Sequence, residues 1–278
     1  MEIIELLENI AETKKNIDQA HHLAKNIKNY STDLATNLNL IKSNLTKLQK
    51  LASECSDRDP VFKTILTWIE TFNIELAVEQ DRLKDQFGIL LEKELIPEGM
   101  TLTGNFPNFY TGFFTIEVNP RKWFAKIWFG PKQELLDTCS LSAFLVASRI
   151  KYAKENLGSK IPEDSFIKIL RQSYEHFAGE KIGESIQITK VLGFVSDSIN
   201  KTIPDDENKM TKSNQKIYKR ADFSYDLYRI QKSIGRPDLV VAVRAFTLKQ
   251  EDFLWVPANE NGKGSTFSHI KYQEKDHA

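Results

Sequence analysis

The sequence predicts an α+β protein in which a long N-terminal antiparallel helical hairpin, a coiled coil, precedes a mixed domain with an antiparallel sheet and several helices. Three observations predict this fold class. The first 55 residues repeat an apolar residue every 3.5 positions, a second helical repeat follows Pro60, and beyond residue 96 strand-like apolar runs flank a series of helical stretches.

The first apolar repeat holds one phase for nearly eight heptads and contains no Pro or Gly. Its positions are Ile3, Leu6, Ile10, Thr13, Ile17, Ala20, Ala24, Ile27, Ser31, Leu34, Leu38, Ile41, Leu45, Leu48, Ala52 and Cys55. A narrow seam of this kind is useful only to a helix that packs against another helix. The repeat predicts a continuous helix over residues 2–54. The alternative is a break near Ser31, because residues 29–33 are poor helix formers that include natural N-caps.

The second helix is predicted to begin with Asp59 as its cap and Pro60 as its first residue, and to end near Glu94. Folded back antiparallel, it covers roughly residues 20–54 of the first helix and leaves about three turns without a partner. We therefore expect residues 1–54 to pair with a second copy or with another coiled-coil protein. The expected partner-binding residues are Ile3, Leu6, Ile10 and Ile17. The alternative is a three-helix bundle that is closed within the chain.

Composition limits the classes of protein to which the chain can belong. The 38 basic residues balance the 38 acidic ones, and the two cysteines, Cys55 and Cys139, are too few for a disulfide framework. The N-terminus is acidic, unlike a signal peptide, and no apolar run has membrane-spanning length. We expect a cytoplasmic protein without membrane contact. Leu95 to Gly99 ends the helical arm, which predicts domains at residues 1–95 and 96–278.

An aromatic stretch opens the second domain. The segment from Asn119 to Lys122 reads as a turn between strands near residues 110–118 and 122–129, and Arg121 and Lys122 lie among the rings. Rings beside cations suit the stacking of nucleic-acid bases. The favoured interpretation is that helices cover both faces of this hairpin. The strands predicted near residues 239–243, 253–256 and 266–272 are expected to join it in one antiparallel sheet.

Motifs for chemistry are weak. Asp238 follows a proline before a strand and Glu251 lies at a plausible distance, as in a diverged metal-dependent nuclease, but no acid-x-lysine follows them. A turn residue is the favoured interpretation of Asp238. Neither the five histidines nor the two cysteines have zinc-ligand spacing. We predict no metal site and no cofactor, and the sequence leans away from an enzyme.

A run of basic residues is the strongest remaining signal, and it could neutralise phosphates. It consists of Lys209, Lys212, Lys216, Lys219 and Arg220. Such a run is usually a solvated surface, and three acidic residues precede it directly. The sequence therefore predicts a non-enzymatic assembly subunit that oligomerises or docks through its N-terminal coiled coil. The alternative is a nucleic-acid-binding component or diverged nuclease that uses the basic run and the aromatic hairpin.

Overall fold

The computed structural model describes residues 3–179, 181, 183–202, 217–242 and 249–273, and it confirms a mixed α+β fold. The helices are α1 (Ile3–Tyr30), α2 (Leu34–Cys55), α3 (Pro60–Leu95), α4 (Ala143–Asn156), α5 (Glu163–Ala178), α6 (Ile188–Thr202) and α7 (Arg220–Arg229). The strands are β1 (Thr103–Asn105), β2 (Asn108–Thr111), β3 (Phe114–Asn119), β4 (Phe124–Phe129), β5 (Glu134–Ser140), β6 (Ile186–Gln187), β7 (Asp238–Val241), β8 (Leu254–Pro257) and β9 (Gly264–Lys271).

The N-terminal arm contains three helices, where the sequence predicts two. A turn of 3-10 helix at Ser31–Asp33 separates α1 from α2, as in the alternative with a break near Ser31. The chain reverses direction there, as shown by the hydrogen bond that Asn16 Nδ2 donates to Cys55 Sγ at 3.3 Å. In one straight helix these residues would lie roughly 58 Å apart. The continuous helix over residues 2–54 is therefore wrong.

Local capping explains where α2 and α3 begin. The Asp33 carboxylate accepts a hydrogen bond from the Thr36 amide at 3.1 Å, which caps α2. The Asp59 carboxylate accepts one from the Val61 amide at 2.9 Å, and Pro60 is the first residue of α3. Both are the N-cap interactions that short polar side chains make with unpaired amides. The predicted start of α3 is confirmed.

The first sheet is a five-stranded antiparallel meander in the order β1-β2-β3-β4-β5. The β3–β4 hairpin confirms the strand pair expected around residues 119–122. Its inner face is formed by pairs such as Ile116 with Ile127 and Val118 with Ala125, all buried. Because side chains alternate along a strand, Glu117 lies on the other face. The inner face shares one hydrophobic core with the three helices of the arm and with α4.

The second sheet is separate from the first, so the expectation of a single sheet is wrong. Strand β9 lies between β6 and β7 and also pairs with β8, and all of these pairs are antiparallel. With α5, α6 and α7 it forms a second hydrophobic core. The predicted domain boundary at residue 96 stays a prediction. Residues on both sides of it, such as Leu95 and Phe109, belong to the same hydrophobic core. In the described part of the chain, no helix has the length and apolarity needed to cross a membrane.

Candidate interaction surface

The first ten described residues of α1, Ile3–Glu12, extend beyond the helices that pack against the rest of α1. We call this segment the free end of α1. Arg58, in the loop between α2 and α3, pairs with Glu12 at 3.0 Å, which places the end of the α2 contact near residue 12. At about 1.5 Å per residue, the free end projects on the order of 15 Å.

The four predicted partner-binding residues are all exposed. The exposed fractions are 73% for Ile3, 47% for Leu6, 56% for Ile10 and 41% for Ile17. Ile4 and Leu7 are exposed as well. From Ala20 onwards the same helix buries Ala20, Leu23 and Ile27, whereas Ala24 stays exposed. The break at Ser31 therefore covers the second half of the predicted seam and leaves its beginning uncovered.

An apolar groove with a volume of about 590 Å³ lies between α1 and α3, and its α1 wall begins at Ala20, about two turns beyond the free end. We call it the α1–α3 groove. Its walls are Ala20, Ala24 and Ile27 of α1 and Ile65, Trp68 and Phe72 of α3, with Leu48 of α2 between them. Lys28 is its one charged lining residue. No local pattern indicated this groove, although Ile65, Trp68 and Phe72 form a second apolar stripe beside the buried Phe62 and Ile69.

Trp68 shows how open the groove is. Its side chain is 41% exposed and stacks on Phe72 with ring centroids 5.0 Å apart. Large aromatic side chains are usually mostly buried in a closed core. The groove therefore presents aromatic surface to solvent, in the same three-helix arm as the free end.

The basic run is only partly within the described residues, since Lys209, Lys212 and Lys216 lie outside them. Lys219 is exposed. The Arg220 guanidinium donates hydrogen bonds to the backbone carbonyls of Glu251, at 2.8 Å, and Phe253. Through these contacts, Arg220 holds the segment before β8 against α7.

The aromatic hairpin divides its rings between the core and the surface. Trp123 and Phe129 are buried in the first core, while Phe124 and Trp128 are half-buried on the other face. Lys126 Nζ lies 6.0 Å and 5.7 Å from the centroids of those two outer rings. Arg121 and Lys122 are exposed in the turn. Nucleic-acid binding by this hairpin stays a prediction.

The two acids of the weak nuclease alternative have different partners. Asp238 accepts a hydrogen bond from Gln273 Nε2 at 2.8 Å, and Glu251 pairs with Lys249 at 3.5 Å on an exposed turn. Within the ranges that the structure describes, no three His, Cys, Asp or Glu side chains are grouped so that they could hold a metal ion. A role for Asp238 and Glu251 in catalysis stays an untested prediction.

A buried polar cluster around α7 was not anticipated from the sequence. The Asp226 carboxylate is fully buried, accepts hydrogen bonds from the Ser159 amide at 2.8 Å and the Tyr218 hydroxyl at 2.9 Å, and pairs with Arg229 at 3.1 Å. Asp222 accepts a hydrogen bond from the Gly158 amide at 3.0 Å. These contacts fix the loop before α5 to α7.

Burial dominates the electrostatics of this cluster. It raises the pKa of Asp226, although the hydrogen bonds and Arg229 favour the charged form. Burial and the neighbouring Asp226 carboxylate together raise the pKa of Tyr218. Because Asp222 and Asp226 hold the loop after α4 and the Tyr218 side chain against α7, we assign the cluster a role in stability.

Comparisons of the chain with protein-family models, with curated proteins and with solved structures find no match.

Proposed function

We propose that this protein is a non-enzymatic assembly subunit that docks onto a protein partner through the N-terminal part of α1. The observation that carries the proposal is the free end, where Ile3, Leu6 and Ile10 are exposed beyond the reach of α2 and α3. Clustered exposed apolar residues at one end of a helix are typical of an interaction site. Full burial of each such side chain contributes roughly 1.5–3 kcal/mol.

A helical requirement supports the same function. The free end continues the packed part of α1, and most of the stability of a helix in a protein comes from packing of its apolar side rather than from helix propensity. Tertiary packing normally stabilises such a segment, but here α2 ends before it. A partner that covers its apolar side would supply the missing packing.

The charge of the free end favours a protein partner over a lipid surface. Residues 3–12 contain three glutamates, Glu5, Glu8 and Glu12, and no Lys or Arg. Helices that lie on membranes carry basic residues on their polar side, because cellular lipid surfaces are anionic. The free end has the opposite charge.

Substitution at the free end tests the proposal. In the variant Leu6→Lys/Ile10→Lys, we expect loss of higher-mass species and of co-purifying partners, because two lysines would have to be buried in the interface. The measurements are light-scattering mass and affinity purification of the full chain from its native host. Fold is checked by circular dichroism.

Ile234→Lys is the matched control, since Ile234 is 99% exposed and lies far along the chain from α1. It should leave both the mass and the partners unchanged. If the double variant and the wild type show the same mass and the same partners, the proposed function is wrong.

A further inference from the structure

We infer that the partner of the free end is a second copy of this chain, and that each free end packs into the α1–α3 groove of the other copy in a two-fold antiparallel dimer. This inference rests on the proposed function and names the partner. Two uncovered apolar surfaces of the arm, the free end and the groove, would then cover each other. In each half, α1 of the other copy becomes a fourth helix beside α1, α2 and α3.

The two surfaces match in length. The α1 wall of the groove extends from Ala20 to Ser31, which is roughly 17 Å of helix, and the free end is roughly 15 Å long. Both belong to α1 and lie on either side of Ile17. A two-fold axis at Ile17 therefore places the free end of one copy beside the groove of the other along its whole length.

Side-chain sizes match in the same register. With the axis at Ile17, each residue faces the one equally far on the other side of it. Ile10 then faces Ala24 of the second copy, Ile3 faces Ser31, and Ile17 faces itself. On either side of the axis, Ile10 and Ile3 thus oppose small residues, which is how closely packed surfaces interdigitate. Both Ile17 and Ala24 are exposed within one chain and free to make this contact.

Charge selects the antiparallel orientation. The free end carries three glutamates and no basic residue, whereas residues 20–31 carry Lys25 and Lys28 and no acidic residue. Antiparallel pairing places the acidic third of α1 beside the basic third of its copy. Parallel pairing would place the glutamates beside glutamates, and like charges disfavour association.

A size exchange between positions 10 and 24 tests the register. Ile10→Ala should leave a gap opposite Ala24, and Ala24→Ile should place two isoleucines against each other. Each single variant is expected to raise the dimer dissociation constant at least about ten-fold. The double variant Ile10→Ala/Ala24→Ile restores a large residue opposite a small one, so its dissociation constant should return towards that of the wild type.

The measurement is sedimentation equilibrium of the full chain. Ala11→Ile is the matched control, because Ala11 is exposed and lies about a third of a turn from the contact line through Ile10 and Ile17. It should leave the dissociation constant unchanged. A dimer in which the effects of the two single variants simply add would overturn the register.

A cross-link at the axis gives a second measurement that does not depend on affinity. Ile17→Cys should form a covalent dimer under mild oxidation, since the two side chains meet at the axis, whereas His22→Cys on another face of α1 should not. The native thiols give little background: Cys55 is buried, and burial raises the pKa of Cys139 to about 11, which keeps it protonated.

The outcomes separate this inference from the proposed function. A chain that stays at 32.0 kDa at every concentration, while Leu6→Lys/Ile10→Lys loses a different protein, overturns the self-pairing and leaves the proposed function standing. Absence of any effect from Leu6→Lys/Ile10→Lys overturns both. A concentration-dependent dimer with the size-exchange rescue and the Ile17→Cys cross-link supports both.

Discussion

Replacing Trp123 by alanine is expected to lower the free energy of unfolding by about 3–5 kcal/mol, the usual loss when a buried tryptophan is truncated. Trp123 is 1% exposed and lies in the turn between β3 and β4. Its indole Nε1 donates a hydrogen bond to the Ala35 carbonyl at 2.7 Å, and Asn39 Nδ2 donates to the neighbouring Lys122 carbonyl at 3.1 Å. The side chain thus anchors the hairpin to α2.

Urea unfolding of two further variants separates the parts of this loss. Trp123→Phe keeps most of the buried apolar surface and loses the hydrogen bond, so it should cost only about 1–2 kcal/mol. Phe144→Ala, at an exposed aromatic on α4, should change stability by less than about 1 kcal/mol. A loss for Trp123→Ala no larger than that for Phe144→Ala would contradict the anchoring role.

Replacing Asp226 by alanine is expected to cost about 3–5 kcal/mol, because removal of one partner leaves the mostly buried Arg229 without its carboxylate. The substitution also leaves the Ser159 amide and the Tyr218 hydroxyl without their acceptor. Thermal and urea unfolding at neutral pH measure the loss. A cost below about 1 kcal/mol would contradict a structural role for the cluster.

The pH dependence of Asp226→Asn tests the direction of the pKa shift. Burial raises the pKa of Asp226 above 3.8, so above pH 3.8 the folded protein still holds a proton that the unfolded chain has released. The stability that comes from this retained proton is therefore fully present below pH 3.8 and is lost as the pH rises through the folded-state pKa, whereas the contacts of the charged carboxylate that Asp226→Ala removes remain at neutral pH.

Asp226→Asn lacks this titration. The difference in unfolding free energy between the wild type and this variant should therefore fall as the pH rises above 3.8. A difference that increases with pH would mean that Arg229 and the hydrogen bonds outweigh burial.

Signals within a few residues predicted the fold well. Asp59 and Pro60 mark the start of α3 because a cap and a proline act on adjacent amides. The β3–β4 hairpin was predictable for the same reason, since its turn is local. The break at Ser31 was a weaker signal, because the heptad phase continues across it: α1 and α2 both use that stripe to pack within the same core.

Features that depend on contacts between distant segments could not be predicted from the sequence. Which strands join which sheet depends on pairings between distant segments, such as β6 with β9, that no local pattern encodes. The polar cluster was hidden because Asp222 and Asp226, four residues apart on one helix, resemble an ordinary solvated face. The exposure of Ile3, Leu6 and Ile10 follows from the sequence pattern. The groove could be predicted only by knowing that the chain reverses between α1 and α2.

Amide hydrogen exchange over residues 7–12 measures whether a second copy covers the free end of α1, since these amides follow the first four of the helix, which have no intrahelical acceptor. In a dilute monomer these amides should exchange nearly as fast as in an unfolded chain, because three turns without a packed face open readily. If a second copy covers the free end, raising the concentration protects these amides, together with those of residues 24–31, and Leu6→Lys/Ile10→Lys abolishes this protection. Fast exchange of residues 7–12 at every concentration would show that no second copy covers the free end.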